Sequence, residues 1–263
     1  MLLTTGHGEL AADVLGAALE SLSPPTESHR AEILAHLARV EAGLGRYAEA
    51  RDHALEAERL AEGSGDLRTL ATSQRVLSLT YWHLEELDAA AEVGRRGLAL
   101  SQRIGSAMEI GGSLLNLGLI EESRGNFDEA VAHTQRAIEE FERLHSEGSR
   151  AQGYTNLAAQ LEEAGRLDEA LEYCERAEEL ARAIGYPIAI AQITDTRAMA
   201  ELKLGRFAEA AATAEEAARL YLEFGTVPDA LGMLQVAADA WRKAGESGRA
   251  RKCDSQAREM TPA

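Results

Sequence analysis

The residue types that most often carry chemistry are few and scattered in this sequence. Cys174 and Cys253 lie far apart and form no CxxC pair, so they indicate neither a zinc site nor a disulfide framework. The spacing of His29, His36 and His83 fits surface positions better than a set of metal ligands. No GxxxxGK phosphate loop, GxSxG nucleophile turn or HExxH zinc motif occurs. We therefore expect no catalytic residue, no metal, no cofactor and no enzyme activity.

The charge balance argues against two classes of partner. Among 263 residues, 44 are acidic and 27 are basic, which gives a net charge of −17 at neutral pH. A chain so acidic repels phosphate backbones and anionic lipid, so neither direct nucleic acid binding nor membrane binding is expected. The N-terminal stretch MLLTTGHGEL lacks the regions of a signal peptide, and no run of about 18 apolar residues occurs. We expect a soluble, cytoplasmic protein.

An internal repeat defines the elements that would position a binding surface. The phrase LGRYAEA at 44–50 returns as AGRLDEA at 164–170 and as LGRFAEA at 204–210. Its last alanine recurs every 40 residues, as Ala50, Ala90, Ala130, Ala170, Ala210 and Ala250. Glycine stands five residues before it except at Glu85, and a second glycine series keeps the same period except at His145. Apolar residues between the glycines recur at three- and four-residue intervals, which predicts two helices per repeat, each ended by a glycine.

The spacing within these copies resembles that of the tetratricopeptide repeat (TPR) family, in its long 40-residue form. The third copy supplies Leu114, Leu117, Gly118, Gly125, Phe127, Ala130 and Ala137, and the fourth supplies Tyr154, Leu157, Ala158, Leu161, Gly165, Leu167, Ala170 and Ala177. Glu121 departs from the family pattern, and the proline near the repeat end is missing. The resemblance covers about residues 28–260. It implies an all-α fold, a right-handed α-α superhelical solenoid of helix-turn-helix repeats.

The two ends of the chain differ from the repeats. Residues 1–27 are interpreted as an N-terminal helix, a half repeat or cap, with the helix over 8–22 closed by Pro24 and Pro25. Residues 28–263 form the predicted solenoid of about five to six repeats. The last helix is polar, since Ser247 and Asp254 replace apolar residues, and it is expected to cap the stack.

In the family that this sequence resembles, the first helix of each repeat lines a concave groove that binds an extended peptide or a partner helix. Carried over position by position, the groove residues are Asn116, Asn156, Arg75, Trp82, Leu119, Gln152, Thr155, Gln192, Thr196 and Met199. The two asparagines are similar to those with which kinesin light chain holds a ligand's main chain, because an amide can both donate and accept. The alternative is that they bond helix backbone or water. Trp82 is interpreted as an anchor or as packing against a neighbouring repeat.

These features predict a non-enzymatic scaffold that binds a protein or peptide in its groove. The alternative is a ligand- or peptide-sensing TPR domain from a larger bacterial transcription regulator. The loops ARAIGYP and AEGSGD of this sequence resemble loops in the sensor portions of such regulators. The sequence leaves open whether the groove holds a peptide, a helix of the same chain, a small ligand or a second copy in a homodimer.

A cluster of glycines marks the junction of the second and third repeats. Its members are Gly94, Gly97, Gly105, Gly111 and Gly112, and the first two lie inside a predicted helix. Glycine within a helix costs about 1 kcal/mol relative to alanine. The junction is interpreted as a hinge or, alternatively, as a close helix contact that leaves no room for side chains.

Overall fold

The described chain is helical throughout. The structure, a computed structural model, describes residues 2–21 and 26–260, and over these residues it has thirteen α-helices and no strand. A lone helix, α1 (Leu2–Ser21), comes first. Six hairpins follow, formed by α2 (Glu27–Gly43) and α3 (Tyr47–Ser64), α4 (Leu67–His83) and α5 (Leu87–Ile104), α6 (Ala107–Ser123) and α7 (Phe127–Arg143), α8 (Glu147–Glu163) and α9 (Leu167–Ala183), α10 (Pro187–Lys203) and α11 (Phe207–Glu223), and α12 (Val227–Lys243) and α13 (Ser247–Met260).

The helix boundaries confirm the predicted all-α repeat. The first helices begin at residues 27, 67, 107, 147, 187 and 227, one period of 40 apart. The second helices begin at residues 47, 87, 127, 167, 207 and 247, each three residues before one of the repeated alanines. The alanine that ends the repeated phrase is at most 2% exposed in all six copies. These alanines lie where helices come too close for a larger side chain.

The turns between helices explain the glycine series. Gly45 has a φ of 79°, in the left-handed region that glycine adopts without a Cβ clash. The next amide, Arg46 N–H, donates to the Glu41 carbonyl at 2.9 Å and so closes the helix end. Glu85 and His145, which stand in the glycine positions, keep the same conformation with φ values of 61° and 52°.

The chain divides into two compact units, Met1–Leu144 and His145–Ala263. The first unit contains α1 to α7, and its first helices α2, α4 and α6 contact one another in that order. The second unit contains α8 to α13, and in it α10 packs against both α8 and α9. Within the described residues, no helix has both the length and the apolar character that crossing a membrane requires.

Helix α1 starts earlier than the sequence indicated. The predicted start at residue 8 is wrong, because the helix already begins at Leu2. Packing accounts for the helix at Gly8: a Cβ there would be 2.9 Å from Leu44 Cδ2, just past the end of α2, so this close contact offsets the weak helix propensity of glycine. The predicted closure by Pro24 and Pro25 lies outside the described residues.

The glycine cluster lies where helices approach one another closely. A Cβ built on Gly94 would be 2.7 Å from Ser78 Oγ and 3.0 Å from Leu117 Cδ2. A Cβ on Gly111 would be 2.5 Å from Phe141 Cε1. These distances are too short for real side chains, so the close-contact alternative accounts for both glycines. A hinge at this junction stays a prediction.

Candidate binding surface

In the first unit, a side-chain bond joins two of the predicted groove residues, Asn116 and Arg75. Asn116 Nδ2 on α6 donates to the main-chain carbonyl of Arg75 on α4 at 2.9 Å. Asn116 is only 8% exposed, so this amide is mostly buried between the two helices. Arg75 lies within α4, where main-chain carbonyls accept the backbone hydrogen bonds of the helix. The Asn116 amide is a second donor to the Arg75 carbonyl. Asn116 therefore links neighbouring repeats.

The Arg75 side chain forms a second link between the same helices. Its Nε donates to Glu109 Oε2 at 2.8 Å, and both side chains are about four-fifths buried. The stem of the arginine crosses α6 over Gly112, where a Cβ would lie 2.9 Å from Arg75 Cδ. Glycine at this position makes room for the arginine, and sequence reasoning assigned neither Gly112 nor Glu109 to this contact.

Trp82 is half-buried at the end of α4. Its indole Nε1 donates to Ser123 Oγ of the next repeat at 2.7 Å. The ring packs beside Ala90, Ala91 and Ile120 and meets His83 edge-on. These contacts are those of the alternative interpretation, packing against a neighbouring repeat, and they leave part of the ring in contact with solvent. Leu119 is also half-buried.

In the second unit, Gln152 and Asn156 form a pair of amides on one face of α8. Gln152 Nε2 donates to Asn156 Oδ1 at 2.8 Å, and both side chains are half-exposed. The bond uses one acceptor and one donor of the pair. Asn156 Nδ2 and Gln152 Oε1 have no hydrogen-bond partner among the described residues. The pair thus presents a free amide donor beside a free carbonyl acceptor, the two groups that a peptide backbone pairs with.

The remaining predicted residues lie at different depths. Thr155 is buried, and its hydroxyl donates to the Ala151 carbonyl within α8, so it does not reach the surface. On α10, Gln192 is exposed, Met199 is half-buried, and the Thr196 hydroxyl donates to the Gln192 carbonyl at 3.1 Å. The structure therefore joins Asn116 with Arg75 in one unit and Gln152 with Asn156 in the other.

An ion pair with a buried carboxylate, Glu162, joins α8 and α10 in the second unit. Lys203 Nζ on α10 lies 2.8 Å from Glu162 Oε1 on α8 and also donates to the Glu162 carbonyl at 3.3 Å. Burial raises the pKa of Glu162, and the hydrogen bond and positive charge of Lys203 partly oppose that rise. On the same helix, Asp195 accepts a bond from Tyr221 O–H at 3.1 Å, and burial raises the pKa of Asp195 as well.

Three of these contacts share one sequence interval. Arg75 with Asn116, Trp82 with Ser123, and Glu162 with Lys203 are each 41 residues apart. One repeat plus one residue thus brings a side chain on a first helix against the next first helix. Pairing polar residues at this interval would have found Ser123 and Lys203 in the sequence.

The two cysteines are buried, and their thiols are poor nucleophiles and poor metal ligands. Burial raises the pKa of Cys174 to about 12 and that of Cys253 to about 11, so both thiols stay protonated at neutral pH. Cys253 also donates weakly to Glu215. Over residues 2–21 and 26–260, no group of three or more His, Cys, Asp or Glu side chains is placed to hold a metal ion.

Comparison with known families agrees with this architecture. Sequence profiles of the tetratricopeptide repeat match residues 2–65, 109–183, 149–223 and 196–262, the greater part of the sequence. The chain belongs to the tetratricopeptide repeat family. A comparison with curated protein sequences gives no significant match.

Solved structures with similar folds include proteins that contain a sensor or are bound to a factor or peptide. A Rap protein complexed with Competence and Sporulation Factor has a TM-score of 0.73 at 19% identity, covering 97% of this chain and 70% of its own. The Rap conjugation gene regulator of plasmid pLS20, in complex with the Phr peptide, has a TM-score of 0.72 at 16% identity, covering 98% and 71%. A signal transduction ATPase with a tetratricopeptide repeat sensor, from Pyrococcus horikoshii, has a TM-score of 0.72 at 18% identity, covering 95% and 38%.

Proposed function

We propose that this protein is a non-enzymatic scaffold that binds a protein or peptide segment along the first-helix surface of its repeats. The amide pair of Gln152 and Asn156 carries the proposal, because it holds a donor and an acceptor ready for a ligand's main chain. The Rap structures, which are recorded with Competence and Sporulation Factor and with the Phr peptide, support a peptide as the ligand. The alternative, a sensing domain of a larger regulator, stays a prediction.

In this proposal the amide pair is the main-chain contact of the site. Asn156 Nδ2 donates to a carbonyl of the ligand, while Gln152 Oε1 accepts from a ligand amide. The exposed Gln192 on α10 provides a further amide, and the half-buried Met199 provides apolar contact. Because Gln152 holds Asn156 by a hydrogen bond, the asparagine is oriented before the ligand arrives, which reduces the entropy lost on binding.

The test uses peptides selected against the protein itself. A display library of random linear peptides is enriched on the wild-type chain. The dissociation constants of the enriched peptides are then measured by fluorescence anisotropy. Asn156→Asp is the informative variant, because its carboxylate still accepts from Gln152 but has no amide hydrogens to donate. We expect it to weaken binding by at least about tenfold, the effect of losing a well-made hydrogen bond.

Asn116→Ala serves as the matched control. Its amide bonds Arg75 and is largely buried, so we expect the selected peptides to bind this variant within about twofold of wild type under conditions where it is folded. A library that yields no binder, or peptides that bind Asn156→Asp as tightly as wild type, would refute the proposed role of the amide pair.

A further inference from the structure

Helix α1 exposes an apolar stripe that no described residue of its own unit covers. Leu10 is 61% exposed and Val14 is 59% exposed, and they lie one turn apart on the same face. Asp13 and Glu20, both exposed, lie together on one side of this stripe. The helix contains no lysine or arginine. We call Leu10 and Val14 the α1 stripe, and Asp13 and Glu20 form its acidic border.

A groove within the second unit shows how one helix of this chain binds between two others. In the second unit, α10 packs into the groove between α8 and α9, where Ile193 lies among Cys174 and Ala177. Two ion pairs hold the incoming helix: Arg197 on α10 bonds Glu178, and Lys203 pairs with Glu162. This internal groove therefore combines apolar contact with acidic residues that pair with basic side chains of the incoming helix.

The groove between α12 and α13 has arginines at the positions where the internal groove has glutamates. It has a volume of about 490 Å³, and its lining is partly apolar (Leu231, Leu234 and Ala257) and partly polar, with Gln235 and Asp254. Arg242 and Arg258 line it, each 80 residues after Glu162 and Glu178, the acidic residues of the internal groove. Two repeats on, guanidinium groups thus stand where the internal groove has the carboxylates that pair with Arg197 and Lys203.

Arg258 keeps its charge available. Arg242 is held by Asp254, with its Nη2 at 2.8 and 2.7 Å from the two carboxylate oxygens. Arg258 donates its Nε to the Asp254 main-chain carbonyl at 3.1 Å and has no carboxylate partner among the described residues. The remainder of α13 adds Arg249, Arg251 and Lys252 against Asp254 and Glu259. On a chain of net charge −17, this end is locally basic.

We propose that the α12–α13 groove binds helix α1 of a second copy of this chain. The α1 stripe would fill the apolar part of the lining, and Asp13 and Glu20 would lie near Arg258. The contact joins two different surfaces, so a bound pair of copies still has one α1 and one groove free. Such a heterologous contact builds open-ended assemblies rather than a closed dimer.

Sedimentation velocity over a wide concentration range, at low salt where exposed charges are least screened, tests the proposal. Wild-type chain is expected to form species that grow beyond the dimer as concentration rises. Arg258→Glu and the pair Asp13→Lys with Glu20→Lys each place like charges across the contact, and each should weaken assembly by about tenfold or more. All three substitutions in one chain restore opposite charges and should restore assembly. Leu10→Ser with Val14→Ser should abolish it without loss of helicity, because both residues are exposed.

Each remaining outcome would overturn the proposal. Wild-type chain that stays monomeric at every concentration excludes self-association through these surfaces and leaves α1 for another partner. A dimer that is lost on changing Leu10 and Val14 but unaffected by Arg258→Glu indicates a symmetric contact between two α1 helices. A triple charge variant that remains monomeric shows that the charges do not face each other.

Discussion

Asn116 and Asn156 occupy the same repeat position but make different bonds. Asn116 donates through its side-chain amide to the Arg75 carbonyl of the preceding repeat, whereas Asn156 accepts from Gln152 on its own helix. One asparagine therefore contributes to stability and the other leaves its donors available. The sequence left the same two alternatives open for both, a ligand contact or a bond to helix backbone or water, because repeat position alone does not reveal which neighbour an amide meets.

The first prediction at this scale concerns stability. Asn116→Ala removes the link between α4 and α6, and we expect the free energy of unfolding to fall by about 1 to 3 kcal/mol. Asn156→Ala lies on a half-exposed face and should change it by less than about 0.5 kcal/mol. Urea denaturation followed by circular dichroism measures both. Equal losses for the two variants would mean that Asn116 has no special structural role.

The second prediction concerns pH and the ion pair of Lys203 with Glu162. The pKa of Glu162 is raised by burial, so the folded chain binds this proton more tightly than the unfolded chain does. Stability from this group is therefore highest at acidic pH and falls as the pH rises through the raised pKa. Lys203→Met removes the cation that opposes the rise in pKa, and at neutral pH it should lower the free energy of unfolding by about 1 to 3 kcal/mol.

The pH dependence separates this effect from a loss of packing. As the pH falls and Glu162 is protonated, the difference between Lys203→Met and wild type should shrink. In a Glu162→Gln background, the same lysine substitution should have an effect that does not vary with pH. A difference that is constant with pH in the wild-type background would show that the charge of Glu162 is not involved.

Among the helices, the packing of α6 against α7 depends on a missing side chain. Gly111 leaves space for the Phe141 ring, and a Cβ would lie 2.5 Å from Cε1 and 2.8 Å from Cζ. Gly111→Ala must therefore displace a buried ring, and we expect a loss of about 1 to 3 kcal/mol in the free energy of unfolding, measured by thermal or urea denaturation.

Gly232 provides the matched control on α12. A Cβ there would meet nothing within 4 Å, so Gly232→Ala should stabilise the chain by about 0.5 to 1 kcal/mol through helix propensity alone. A stabilising effect of both substitutions would show that the Phe141 ring moves aside at little cost and that the close contact at Gly111 is not required.

The sequence was most informative about helices and least about what their faces meet. The 40-residue period correctly predicted two helices per repeat, because a glycine turn and a buried alanine constrain the backbone directly. It did not reveal that Thr155 is buried or that α1 begins at Leu2, since both depend on the neighbouring helix. Local pattern defines an element, while exposure is decided by packing.

At the scale of the whole molecule, the repeats are alike in backbone and differ in side chains. The grooves between α8 and α9 and between α12 and α13 occupy equivalent positions, yet one is lined by Glu162 and Glu178 and the other by Arg242 and Arg258. This difference was readable in the sequence at an interval of 80 residues. The sequence did not show what this difference means, because only the structure shows that these residues line the grooves between the two helices of a repeat.

The turns at Glu85 and His145 have a consequence for how such a chain can change. Both residues hold the left-handed conformation that glycine provides elsewhere, and the Glu86 amide still closes its helix on the Tyr81 carbonyl at 2.9 Å. At Glu85 the flanking helices α4 and α5 pack closely against each other, so this packing imposes the bend without a glycine. Hairpin tips are therefore the places where sequence can drift, or new segments can be grafted, while the order of the repeats is preserved.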